Sequence, residues 1–229
     1  MKLLRLAVKG LNILVWRLRH HGLGVTFTWA WTRIYLWTVG RPVLRYCPVT
    51  PQVYVGGQIN ARGWRWLAAR GLTADVNLRS EFDDAAHGIA PDAYLWLPIP
   101  DDHAPSVQQL GTGVDFIRRE IAGGGKVYVH CAGGVGRAPT LAAAYLVSTG
   151  LSPDQAWALI RQTRPFIKPT PPQLAAVDRF ADAGEMDVSL VAQGLHRAQL
   201  AGEPGWIQAT GSPQQEGYPN RLGDDLGSV

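Results

Sequence analysis

The sequence predicts an α/β layered fold: a single domain with a central, mostly parallel or mixed sheet flanked by helices, preceded by an amphipathic helical arm. Three observations carry this expectation. Short apolar runs rich in Val, Leu and Tyr alternate with segments of helical periodicity from about residue 50 to 183. The apolar run Lys126 to His130 passes straight into a glycine-rich loop and then into a helical pattern. The chain's 229 residues, 46% hydrophobic and only 17% charged, suffice for one main domain and a smaller element. The same numbers exclude wholesale disorder, a collagen-like repeat and a long coiled coil.

The elements follow in order. After turn signals around Pro48 and Pro51, Gln52 to Val55 reads as a short strand, and Arg62 to Arg70 as a short helix stopped by Gly71. Thr73 to Leu78 and Tyr94 to Leu97 are further strands, separated by the polar loop Ser80 to Pro91. Ser106 and Gln109 have the spacing of a capping box for a helix reaching Ile121, where Gly123, Gly124 and Gly125 break it. Lys126 to His130 is the next strand. Helices are then expected over Arg137 to Thr149, from Ser152 and Pro153 to just before Pro165, and over Pro172 to Ala183. Beyond Glu185 the chain turns rich in Gly, Pro, Gln and Ser. The expected division is an arm over 1–48, a body over 49–184 and a poorly ordered tail over 185–229.

Charge is divided unevenly along this plan. Residues 1–50 hold eight Lys and Arg and no Asp or Glu, whereas the rest hold 14 basic and 18 acidic side chains. From Lys2 to Arg19 the polar positions Lys2, Arg5, Lys9, Asn12 and Arg19 gather on one side of a helical wheel. Downstream, Trp29, Trp31, Tyr35 and Trp37 crowd around Arg33, a composition suited to the boundary between headgroups and hydrocarbon. Residues 1–40 are therefore a candidate anchor for an anionic membrane surface, the alternative being a helical cover over a face of the body. The best spanning candidate, Leu23 to Val39, is interrupted by Arg33, and no cleavable signal is legible. Two cysteines, Cys47 and Cys131, are too few for a disulfide framework. The expectation is a cytoplasmic protein, peripheral at the inner face of a membrane if the arm binds lipid. A nucleic-acid partner is not expected, because the acidic body offers no second basic stripe.

The chemistry lies in Val127-Tyr-Val-His-Cys-Ala-Gly-Gly-Val-Gly-Arg137. This places Cys131 at a strand end, five small residues in a loop, and Arg137 at a helix start. Backbone N–H groups of Ala132, Gly133, Gly134, Val135 and Gly136 can converge on one anion, and the following helix adds its positive end. Such fixed partial charges favour a thiolate at neutral pH. Arg137 supplies a planar fork for two phosphoryl oxygens. A phosphate monoester dianion fits this cradle, and attack by Cys131 gives a cysteinyl-phosphate.

The pattern His-Cys-x5-Arg at 130–137 resembles the signature of the cysteine-dependent protein tyrosine phosphatases, and the chain is most similar to their dual-specificity branch, over roughly Val49 to Ala183. The resemblance implies a compact α/β phosphatase domain in which His130 orients the loop and tunes the thiolate, and Arg137 binds substrate and stabilises the transition state. It implies no metal and no cofactor. It also implies a general acid, an Asp on a loop ahead of the nucleophile. Asp101 and Asp102 stand thirty and twenty-nine positions before Cys131; Asp101 is favoured because it directly follows a strand exit, and Asp102 remains open. Asp101, Asp102 and His103 also look like metal ligands, but no further cluster completes them. Ala138 departs from the Ser or Thr common after the Arg, which puts the speed of the second chemical step in doubt.

Three functions compete. The leading one is hydrolysis of phosphorylated protein, at phosphotyrosine and by extension phosphoserine or phosphothreonine. A membrane-proximal lipid phosphatase is the second, motivated by the arm but opposed by the absence of Lys and Arg from Ala132 to Gly136. A slow phosphate-binding module is the third. Among weaker signals, Cys47 reads as inert rather than as a partner of Cys131, and Arg164 and Gln173 as helix-terminating and packing residues. Asn77, Arg79 and Glu81 read as strand-end residues forming a structural salt bridge.

Overall fold

A computed structural model describes residues 2–184, with side chains from Val15 onward, Trp16 excepted. The expected tail at 185–229 and most of the amphipathic pattern of Lys2 to Arg19 lie outside the described side chains. Four strands, β1 (Val53–Gly57), β2 (Ala74–Arg79), β3 (Ala93–Ile99) and β4 (Val127–Cys131), form one sheet in the order β1-β4-β2-β3. Every ladder is parallel, so the expected mostly parallel sheet is fully parallel. Among the described residues the one antiparallel pairing is a bridge between Pro48 and Tyr54.

Helices cover both faces, as a parallel sheet requires. α1 (Lys2–Val39) precedes the sheet and α2 (Ala61–Ala68) follows β1; α3 (Val107–Ala122), α4 (Arg137–Val147), α5 (Pro153–Thr163) and α6 (residues 171–184) complete the chain. The larger core joins strand residues such as Val76 and Val129 to Ile117, Leu141 and Ile160 from α3, α4 and α5. A second core gathers Leu36 of α1, Leu67 of α2, Ile59, Leu72 and Tyr128. β4 lies between β1 and β2 and is buried throughout, which accounts for its unbroken apolar reading.

Element ends agree with the sequence expectation to within two residues. Asn60 caps α2 by accepting from the Gly63 N–H, one residue earlier than expected, and capping boxes at Ser106/Gln109 and Ser152/Gln155 start α3 and α5. α1 is broken at Gly22, whose φ of 75° and ψ of 175° are non-helical. No helix among the described residues is long and apolar enough to cross a membrane.

The arm differs from the expected basic-faced helix in one important respect. Arg17 is 2% exposed, donates to the Phe166 carbonyl at 2.9 Å and lies over the Trp29 ring. Arg33 donates to the Ala132 carbonyl at 2.9 Å, and Arg41 bonds the Tyr35 hydroxyl. Leu23, Phe27, Trp31, Ile34 and Trp37 are exposed instead. Spaced four, four, three and three residues apart, they form one outer stripe. Arg17 and Arg33 reach into the body, where the Phe166 and Ala132 carbonyls need donors.

Candidate active site

The site forms where β4 ends and α4 begins. Register places Cys131 beside Gly57 of β1 and His130 beside Asn77 of β2, so the nucleophile candidate emerges at the carboxyl edge of a central strand. The Cys131 Sγ accepts the Gly134 N–H at 3.2 Å. Gly134 has φ 63°, and a Cβ there would stand 2.4 Å from the Gly56 backbone, so both conformation and space demand glycine.

The loop's carbonyls are held from outside. Ala132 O accepts from Arg33 Nη1, Gly134 O from Arg164 Nε at 3.1 Å and Nη2 at 2.9 Å, Val135 O from the Lys168 N–H at 2.7 Å, and Gly136 O from the Thr140 hydroxyl. Carbonyls tied outward leave the amides to turn inward. Arg164, 4% exposed, also donates to the Tyr46 and Val55 carbonyls. It therefore does more than terminate a helix and pack. Its signal in the sequence was only an Arg before Pro165.

Arg137 is 1% exposed and is gripped by Glu81: Nη1 to Oε2 at 2.9 Å and Nη2 to Oε1 at 3.0 Å. Nη1 also donates to Ile99 O at 2.8 Å, and Nη2 lies 2.9 Å from Asp101 Oδ1. The buried Nε has no hydrogen-bond partner among the described residues. Bonding to Arg137 holds the Glu81 carboxyl down at about 2, burial opposing and Arg79 assisting. The expected Arg79–Glu81 salt bridge exists at 2.9 Å, but Glu81 is also the partner that aims Arg137. Strand-end position was the only hint of it.

Asp101 thus joins the Cys131–Arg137 group, and Asp102 does not. Asp102 takes a left-handed φ of 62° and its carbonyl accepts from the Thr170 hydroxyl. Gln173, 1% exposed, donates to His103 O at 2.9 Å and accepts from the Thr170 N–H, so it braces the loop carrying Asp101 rather than merely packing. His103 Nδ1 lies 2.9 Å from Asp101 O. Asp101, Asp102 and His103 are not drawn together as ligands.

The titratable group that does gather is Asp75, Asp84 and His130, all buried, with ligand atoms within 4.8 Å of one another. His130 Nε2 stands 2.9 Å from Asp84 Oδ2 and 3.4 Å from Asp75 Oδ2. Burial alone would push the imidazole down; the two carboxylates outweigh it and hold it at about 10, while burial pushes the Asp75 carboxyl up. A protonated imidazole between carboxylates suits an ion pair, because a metal ligand must be neutral. The two carboxylates thus hold His130 toward its protonated form, immediately before Cys131. Asp84 in turn accepts from Gln58 at 2.7 Å, and Gln58 accepts from Arg79.

Ala138 is fully buried and brings no hydroxyl, and Thr140 spends its own on Gly136 O. Cys47 is buried and reduced, its thiol pushed up by burial to about 11.

Comparison with known proteins points to one family. The model of the dual specificity phosphatase catalytic domain matches residues 53–182. Dual specificity protein phosphatase 1-B of Xenopus laevis is 28% identical over 171 residues, 69% of this chain and 45% of its own. Dual specificity protein phosphatase 1 of Homo sapiens is 30% identical over 136 residues, 58% of this chain and 35% of its own. The chain thus spans less than half the length of these curated relatives. Among solved structures, Tk-PTP in the active form is 30% identical with a TM-score of 0.53, covering 58% of this chain and 94% of its own. PTPMT1 in complex with PI(5)P shares the fold at 24% identity and a TM-score of 0.57, covering 61% and 96%.

Proposed function

The chain belongs to the dual specificity phosphatase catalytic-domain family, and from that premise we propose that it hydrolyses phosphate monoesters of proteins through a cysteinyl-phosphate on Cys131. The observation that carries the reading is the loop between the Cys131 thiol and the Arg137 guanidinium, with the Asp101 carboxyl brought to Arg137 at 2.9 Å from a separate connection. The Cys131 sulfur attacks phosphorus, and the S–P bond forms as the P–O bond to the alcohol breaks. Asp101 gives the departing oxygen its proton. Water then attacks the cysteinyl-phosphate, Asp101 takes a proton back, and inorganic phosphate leaves as the thiolate is restored. The loop amides and Arg137, whose Nε is not spent on protein, meet the phosphoryl oxygens. His130, held toward its protonated form, and Glu81, as the holder of Arg137, support the two reacting groups.

The test is a substrate panel of phosphotyrosine, phosphoserine and phosphothreonine peptides, phosphoinositides, phosphatidylglycerophosphate and phosphoglucan, run on the wild type and Cys131→Ser. Phosphopeptide turnover that vanishes in Cys131→Ser is expected; preference for a lipid would move the substrate to the second reading.

That second reading is a protein peripheral at an anionic membrane, acting on lipid or on protein there. The outer stripe Leu23, Phe27, Trp31, Ile34 and Trp37, on a segment with no acidic residue, favours it. Cosedimentation with anionic vesicles that is lost on Trp31→Ser with Trp37→Ser supports the anchor; equal sedimentation overturns it.

A further inference from the structure

The arm contributes a cation to the catalytic loop. Arg33 lies ahead of the residues matched by the family model, which begin at 53, yet its Nη1 donates to Ala132 O at 2.9 Å, ninety-nine residues away in sequence. Gly133 makes room for it: a Cβ there would stand 2.8 Å from Arg33 Nη1. The guanidinium is half-buried and stacked over the Trp37 ring at 4.9 Å, so its position is fixed on both sides. One turn further along, Leu36 packs into the second core and faces Gly57, which seats the helix next to the loop.

We propose that Arg33 is a positioning residue of the catalytic loop, joining the Gln58 N–H in holding the Ala132 carbonyl outward and adding, beside Arg137 and Arg164, a further fixed cation that draws anionic substrate to Cys131. The inference rests on Cys131 being the nucleophile. Burial lowers the Arg33 pKa, while the charges of Cys131 and Asp101 oppose that shift, which agrees with a guanidinium close to both. An Arg suits the place because its planar fork keeps a donor on the carbonyl while the charge stays delocalised across the ring stack.

The test separates charge from packing by alkylating Cys131 with two reagents of similar size, anionic iodoacetate and neutral iodoacetamide. A further cation at the loop raises the iodoacetate-to-iodoacetamide rate ratio. Arg33→Gln is expected to lower that ratio about three- to tenfold and to lower kcat/KM for p-nitrophenyl phosphate with it. Arg33→Lys, which keeps charge and donor, is expected to recover most of the ratio. Leu36→Ala, which loosens the seat and keeps the charge, is expected to move both alkylation rates together and leave the ratio alone. Thermal unfolding of each variant confirms that the fold persists. A ratio unchanged in Arg33→Gln, a Lys variant no better than Gln, or an equal fall in Leu36→Ala overturns the proposal. Failure of the underlying reading looks different: Cys131→Ser would then keep turning over substrate whatever stands at 33.

Discussion

Glu81 holds Arg137 in a two-point grip, with both carboxylate oxygens on both terminal nitrogens at 2.9 and 3.0 Å. The pair spans fifty-six residues of sequence, from the end of β2 to the start of α4, and fixes the plane of the guanidinium before any substrate arrives. A guanidinium that must present its unspent Nε to a phosphoryl oxygen loses much of its value if it rotates freely.

Glu81→Gln keeps the size of the side chain and removes the charge. It is expected to lower kcat/KM on p-nitrophenyl phosphate by about ten- to a hundredfold and to lower the thermal unfolding midpoint, because buried Arg137 loses a charged partner. Bonding to Arg137 holds Glu81 at about 2, below the ordinary carboxylate value of 4.5, so its contribution to stability is complete above 4.5 and lost progressively as pH falls to about 2. Activity within twofold of wild type would contradict the grip's importance.

Asp101→Asn and Asp102→Asn separate the two acids. Only Asp101 reaches Arg137, so its loss is expected to slow turnover of an alkyl phosphate by about 10²- to 10⁴-fold. The loss is expected to be smaller on p-nitrophenyl phosphate, whose leaving group needs less proton transfer. Asp102→Asn retains its left-handed backbone and is expected to stay near wild type. The reverse order of effects would transfer the acid role to Asp102.

Arg164→Lys tests the outer clamp. Lysine cannot serve the carbonyls of Gly134, Tyr46 and Val55 at once, and carbonyls left buried without donors are costly. Urea unfolding is expected to show a loss of about 2 kcal/mol or more, together with weaker binding of inorganic phosphate. Unchanged stability would show that the clamp is dispensable.

His130 imposes a pH dependence on stability. Its folded value of about 10 lies above the ordinary 6.5, so its contribution is full below 6.5 and lost as pH rises through about 10. Urea midpoints are therefore expected to fall already between about pH 7 and 8.5. Cys47, held up at about 11 against an ordinary 9.0, adds its own decline only at higher pH. A flat midpoint over the lower window would mean that His130 is neutral in the fold.

What was legible in the sequence was local. The run from Val127 to Arg137 carries strand, loop, nucleophile and helix start within a few residues, and Ser106 with Gln109 announces its helix by chemistry three positions apart. Asp101 was reachable because it follows a strand exit. Glu81, Arg33, Arg164 and Asp84 were not legible, because each acts through a partner brought near only by folding. Arg33 was misleading as well: a basic residue among tryptophans reads as a headgroup contact, and only packing shows that it faces the loop while Trp31 and Trp37 face outward.

The central claim is covalent, and it is tested most directly by stopping turnover of p-nitrophenyl phosphate with denaturant and locating the phosphoryl group by peptide mass spectrometry. The account predicts one phosphoryl group on the peptide carrying Cys131, lost together with turnover in Cys131→Ser. A phosphoryl group on any other residue, or a Cys131→Ser protein that turns over like wild type, would contradict it.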